Sequence, residues 1–272
     1  MSLSSFLETS EVRRRFREEF EKPAFEADPE LVAPPVSDRP SHVGTAFDYL
    51  LRFHLRRLNP GVAEGRQWVA ESALKLLSGP EKQSARETVE WAKAARDDYV
   101  ASGNATREVL EAALHLARLD LVVRTAGKKD ISTVEAATED DIKDLRQLHE
   151  SIPEGDLRAE DICLLNPTFG KASRLVGGAD ADLLIDDTLI EVKALKEASL
   201  SRDTFNQLLG YYTLHIIGGI GELEEKPTIR RVGMYFSRYA HLFAIDLDEV
   251  VDRSTYPDFV EWFILRGMSQ TT

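Results

Sequence analysis

A single cysteine, Cys163, and three methionines are all the sulfur this chain of 272 residues carries. One cysteine excludes an intrachain disulfide framework, a multi-cysteine zinc site and a four-cysteine iron–sulfur cluster within the chain. It accords with a reducing compartment. Long apolar runs are missing too. The longest mostly apolar stretch, Leu208 to Ile220, is interrupted by His215 and two tyrosines and is too short to span a bilayer. The opening "MSLSSFLETSEVRRRFREEF" holds no apolar segment of signal-peptide length. These absences lead to the expectation of a cytoplasmic protein with no membrane partner.

Positive charge is in deficit. Lys and Arg number 34 against 47 Asp and Glu, a formal net charge of −13. That argues against indiscriminate adhesion to nucleic acid, but a protein whose charge divides between faces can still act on it. The six histidines, at 42, 54, 115, 149, 215 and 241, show no zinc spacing. Gly-x-Ser-x-Gly and P-loop signatures are lacking, so acyl transfer and nucleotide hydrolysis are without their usual marks. "GGIG" at 218–221 follows a helical pattern instead of opening one, so it reads as a helix end and loop. Trp68, Trp91 and Trp262 fall in helical apolar patterns and read as core.

What is present changes period halfway along the chain. Residues 3–21 read as an amphipathic helix, and 23–40, with five prolines, as an extended connector. Ser41 is the expected cap of a helix over "HVGTAFDYLLRFHLRR". Further helices are expected over 63–78, 80–100, 105–124 and 138–150, with the acid-rich stretch 135–161 on the solvated surface. Arginines cluster at 13, 14, 15 and 17 and at 52, 56 and 57, where solvated helix faces are expected; guanidinium groups also suit phosphate. Then "DICLLN", "ADLLI" and "LIEVK" read as strands. A helix follows over 201–217, then a hairpin from "TIRRVGMYFS" and "HLFAID", and a closing helix over "YPDFVEWFILRG". Helices first and ββαββα afterwards predict an α+β fold on a central mixed sheet. A helical region over 1–155 should pack on a core over 156–272 in one compact unit.

The stretch "GADADLLIDDTLIEVKAL", residues 178–195, concentrates charge where a buried strand should have little. With Asp186-Asp187 as a two-residue turn, Ile185 opposes Thr188, Leu184 opposes Leu189 and Leu183 opposes Ile190. Asp182 then falls opposite Glu191, their Cβ atoms about 5 Å apart on one face, and Lys193 points to the same face. Two carboxylates at that distance repel unless a cation sits between them. Hard oxygen donors suit Mg²⁺ or Mn²⁺, and the Val192 carbonyl lies within reach of the same point. A lysine beside a metal-bound water can orient it, help deprotonate it or neutralise developing charge. A solvated hairpin with Lys193 simply paired to Glu191 is the plainer alternative.

"GADADLLIDDTLIEVK" resembles the core of the PD-(D/E)xK nuclease superfamily. The following helix carries Gln207 and Tyr211 four residues apart, similar to the Gln-x-x-x-Tyr element of the RecB-like and lambda-exonuclease-like branch, with Gly210 between them for close packing on the sheet. Upstream, "HVGTAFDYLL" resembles that branch's first motif, with Asp48 at the metal-side position and His42 beside it. Ala181 replaces the signature proline, Asp48 stands where many members carry histidine, and the cysteines of the iron–sulfur members are missing. Asp180 shares the parity of Asp182 and competes with it.

The resemblance implies a restriction-endonuclease-like core and a metal-dependent nuclease. Asp182 and Glu191, with Val192, would hold Mg²⁺ or Mn²⁺, and Asp48 would complete or flank that site. Lys193 would handle the attacking water, and Gln207 and Tyr211 would support it or the phosphate. DNA is the substrate it suggests. A nuclease-fold protein that binds nucleic acid or a protein partner without cutting is the alternative.

Overall fold

The computed structural model describes residues 2–65, 67–125, 136–221 and 223–270. Its helices are α1 (Leu3–Leu7), α2 (Ser10–Glu19), α3 (Pro40–Leu58), α4 (Val69–Ser72), α5 (Gly79–Ser102), α6 (Arg107–Arg124), α7 (Glu139–Glu150), α8 (Arg202–Gly218), α9 (Leu247–Val250) and α10 (Tyr256–Met268). Its strands are β1 (Ala63–Gly65), β2 (Cys163–Leu165), β3 (Leu183–Ile185), β4 (Thr188–Lys193), β5 (Arg231–Phe236) and β6 (His241–Asp246). They form one mixed sheet in sequential order, with β1–β2 and β4–β5 parallel and the other pairs antiparallel. This is an α+β fold whose N-terminal half is helical.

Alternation along the strands makes the sheet a partition between two cores. Leu183, Ile185 and Ile190 face a core built with α3 to α7. Leu184, Leu189, Val232 and Met234 face the other, built with α1, α2, α8, α9 and α10. Both faces are covered, which explains why β3 and β4 read as near-continuous apolar runs. The first two helices lie on the face away from α3. Phe6 stands 5.1 Å from Phe263, and Phe20 4.8 Å from Phe259, in edge-to-face pairs that pin the N-terminal segment to α10.

Several sequence expectations need correction. The helix over 3–21 is two helices, because the Thr9 hydroxyl and N–H both bond to the Phe6 carbonyl and end the first one. Ser41 is not a cap; Pro40 opens α3 at its first turn, where a missing N–H costs nothing. The expected helix over 63–78 is β1, α4 and a short 3-10 turn at Ala73–Lys75. Pairing of Ala63 and Gly65 with Cys163 and Leu165, about a hundred residues away, outweighs local helix propensity there. Gly210 meets Leu3 of α1 rather than the sheet: a Cβ added at this position would stand only 3.1 Å from the Leu3 side chain.

The acid-rich stretch 135–161, whose first residue lies outside the described residues, is a helix and loop with most of its acids exposed, as expected, but two of them are not. Asp141 and Asp144 on α7 are fully buried. Asp141 accepts from Ser37 Oγ at 2.5 Å and pairs with Arg39. Asp144 accepts the N–H groups of Val36 and Ser37 at 3.1 Å and pairs with Arg238 at 2.7 Å. Arg238, 1% exposed, also donates to the carbonyls of Ala33 and Ala194. One buried ion pair thus ties the proline-rich connector, α7 and the chain leaving β4 together. Arg238→Met leaves the Asp144 charge buried without its main partner, and should lower unfolding free energy by about 3–5 kcal/mol in urea titrations. A change under about 0.5 kcal/mol, the range of ordinary surface substitutions, would refute this account of the connector.

Candidate active site

The β3–β4 hairpin has the pairing that the turn arithmetic requires: Leu183 opposes Ile190, Leu184 opposes Leu189 and Ile185 opposes Thr188. Asp186 adopts φ +48°, which Asp tolerates better than most residues. The two turn aspartates do more than turn. Asp186 accepts the N–H groups of Glu160, Asp161 and Ile162 at 2.8–3.0 Å. Burial opposes its charge, but these three donors hold its carboxyl below the ordinary value. Asp187 pairs with Arg231 at 2.9 Å.

One step beyond the turn-proximal pairs, Asp182 and Glu191 stand opposed as β4 reaches its end. Asp182 Oδ2 accepts the Val192 N–H at 2.7 Å. Glu191 is 5% exposed. Its Oε1 accepts from Lys193 Nζ at 2.6 Å and Gln207 Nε2 at 3.1 Å, and its Oε2 from the Tyr211 hydroxyl at 3.1 Å. Gln207 Nε2 also donates to the Tyr211 oxygen at 2.6 Å. The α8 spacing of four therefore makes a bracket behind Glu191, and the Tyr211 ring is held by stacking on Phe169 at 5.6 Å.

A cleft of about 490 Å³ opens in front of these groups, with Asp48, Asp182, Glu191, Val192 and Lys193 on its walls. The opposite wall is the first turns of α3, through Pro40, Ser41, Gly44 and Thr45. Of the residues singled out from sequence, five thus line one cleft, and Gln207 and Tyr211 stand behind Glu191. Asp180 is exposed, bridges Thr168 and is absent from the cleft lining, whereas Asp182 lines the cleft. His42 is half-buried beside Arg39, Arg118 and His115, and burial followed by those cations lowers its pKa to about 4. It does not line the cleft.

The electrostatics follow from crowding. Burial, then the charges of Glu191 and Asp48, push the Asp182 carboxyl well above its ordinary value of 3.8, against the Val192 N–H and Lys193. Burial alone would lower the Lys193 amine; Glu191, by charge and hydrogen bond, and then Asp182 and Asp48 overcome it and hold the amine charged. Burial, then the charges of Glu191 and Asp182, push the Tyr211 hydroxyl well up, so it acts as a neutral donor.

The donor set fits a hard dication. A carboxylate offers about four acceptor sites. Asp182 spends one on Val192, and Glu191 spends three on Lys193, Gln207 and Tyr211, which leaves one on Oε2. Among the described residues, no group of three or more His, Cys, Asp or Glu side chains is arranged to hold a metal ion. The candidate ligands are therefore a pair of carboxylates, Asp182 and Glu191, with the β4 backbone at Val192 beside them.

Sequence reasoning missed Arg52, expected on a solvated face. It is 7% exposed and pairs with Asp48. The cleft wall of α3 was legible in principle, because residues 41, 44, 45 and 48 share one helical face. Leu195, 45% exposed at the cleft, and Arg124 carried no local signal.

Folded protein retains the Asp182 proton at pH values where the unfolded chain has released it. Its contribution to stability therefore falls as pH rises from 3.8 through the raised value. In chelator at neutral pH, Asp182→Asn should raise Tm, by about 2–4 °C for each kcal/mol of repulsion removed. It should also abolish stabilisation by Mg²⁺. A lower Tm with Mg²⁺ stabilisation intact would count against this electrostatic picture; melts across pH 5–8 decide it. No family model, curated protein or solved structure matches the chain, so its own geometry carries the functional argument.

Proposed function

We propose that the chain is a divalent-metal-dependent nuclease with a restriction-endonuclease-like core of the PD-(D/E)xK type, cutting phosphodiester bonds in nucleic acid, with DNA the favoured substrate. One observation carries this reading: Asp182, Glu191 and Lys193 line one cleft, with Gln207 and Tyr211 bracketing Glu191 from α8. A solvated, merely charged hairpin would have no reason to bury Glu191 and satisfy it three times over. No described helix is long and apolar enough to cross a membrane, and the buried Cys163 accords with a cytoplasmic setting.

Asp182 and Glu191 would hold Mg²⁺ or Mn²⁺ with the β4 backbone at Val192, and Asp48 would flank the site. Such a cation supplies Lewis acidity and lowers the pKa of a bound water. Lys193 stays charged, so it suits donation: orienting the nucleophile through its lone pair, or neutralising charge that develops on the phosphate. Gln207 and Tyr211 keep Glu191 in one rotamer, which is where positioning groups of this kind act. The cleft's α3 wall would hold the strand against that point.

Labelled single- and double-stranded DNA and RNA, incubated with Mg²⁺ or Mn²⁺, test the reading. Lys193→Ala and Asp182→Ala should each lower cleavage by at least about 100-fold. Gln207→Ala or Tyr211→Phe should cost about 10–100-fold. Asp180→Ala should cut like wild type. Equal cutting by wild type, Lys193→Ala and Asp182→Ala would sink the assignment. Binding of nucleic acid without any cutting would favour a silent nuclease-fold binding module instead.

A further inference from the structure

We infer that Arg52 takes the place of a second metal ion beside this site, so that the cleft binds one divalent cation and not two. The inference rests on the metal-dependent reading above and concerns how that site is charged.

Arg52 lies one helical turn after Asp48 on α3. Its Nε donates to the Asp48 carbonyl at 3.0 Å, and its Nη2 pairs with Asp48 Oδ2. The guanidinium carbon sits 4.7 Å from the centre of the Tyr49 ring. The pair is not an ordinary surface i,i+4 bridge, because Arg52 is almost wholly buried. Three acids act on it, Asp48, Asp182 and Asp120. Asp120 on α6 is 2% exposed, takes Arg124 Nη2 on Oδ2 at 3.3 Å and leaves Oδ1 without a hydrogen bond. The guanidinium thus stands behind the cleft wall, among carboxylates that would otherwise repel one another.

Phosphodiester chemistry with two metal ions needs carboxylates that flank both, about 3.5–4 Å apart. Here Asp182 keeps most of its acceptor sites, but the carboxylates beside it are partly committed. Glu191 has one acceptor site left, and Asp48 has an oxygen given to Arg52. A second dication at Asp48 would sit against a guanidinium that cannot lose its proton. Arginine suits this standing role better than lysine. Its planar fork reaches a carbonyl and a carboxylate of the same residue while its face lies on Tyr49. The positive charge of the working site is then one dication, Lys193 from β4 and Arg52 from behind.

The test is a count of bound metal, independent of activity. Full-length protein is stripped with chelator and titrated with Mn²⁺, with free Mn²⁺ followed by electron paramagnetic resonance. Wild type should bind one Mn²⁺ per chain. Arg52→Met, which keeps bulk on α3 but frees Asp48 and removes the positive charge that acts on Asp120, should bind two. Arg52→Lys should bind one. Two ions on wild type, or one on a folded Arg52→Met protein, overturn the inference. Circular dichroism checks folding, and if Arg52→Met does not fold, Asp48→Asn decides. If Asp48 serves Arg52 rather than the ion, that variant still binds one Mn²⁺ with affinity within about tenfold of wild type, and loss of binding overturns the inference. One Mn²⁺ bound without cleavage sinks the nuclease reading and leaves this inference standing. Two bound with cleavage does the reverse, and no binding at all sinks both.

Discussion

Two carboxylates opposed across the end of one antiparallel pair are the constraint around which the site is organised. Asp182 and Glu191 repel, and the protein answers each differently. Glu191 is buried and compensated by Lys193, Gln207 and Tyr211. Asp182 receives one backbone N–H and remains strained, its carboxyl pushed toward protonation. On the proposed reading this inequality suits a metal site: Glu191 is anchored in a fixed rotamer, and Asp182 would keep most of its acceptor sites for a cation. A fully satisfied pair would bind nothing, and a fully unsatisfied pair would not survive burial.

The surrounding fold holds this pair at a cleft instead of in the core. β4 is central in the sheet, and its chain leaves the ladder just after Lys193. There the Lys193 and Ala194 carbonyls are held by Ser237 Oγ and Arg238. Arg238 in turn is fixed by Asp144 of α7, which also takes the backbone of the proline-rich connector that leads into α3. The two cleft walls, the end of β4 and the start of α3, are thus set relative to each other by one buried arginine. A few of the acidic residues are used internally. Asp141, Asp144, Asp120 and Glu191 are all buried, so part of the −13 formal charge lies inside the protein against arginines and backbone donors.

Legibility from sequence varied with the range of the forces involved. The hairpin was readable to the residue, because a two-residue turn fixes register and register fixes which side chains share a face. The shared face of Gln207 and Tyr211 on α8 was readable because residues four apart on a helix are neighbours, but they bond to Glu191 and not to Lys193, which the packing of α8 on β4 decides. The end of the first helix at Thr9 and the strand at 63–65 were not readable. The first depends on a hydroxyl competing for one carbonyl, and the second on pairing with residues far along the chain.

The burial of charge was equally hidden. Nothing local separates Arg52 from Arg57, or Asp144 from Asp140, yet one of each pair is buried and the other exposed. Period and turn chemistry thus specify the local constellation of Asp182, Glu191, Lys193, Gln207 and Tyr211, since its members lie on two adjacent elements with simple repeats. Whether that constellation faces a cleft, which helix closes it, and which charges are sequestered behind it depend on contacts between elements remote in sequence. Those contacts are chosen by packing and desolvation over the whole molecule, which no short stretch of residues encodes.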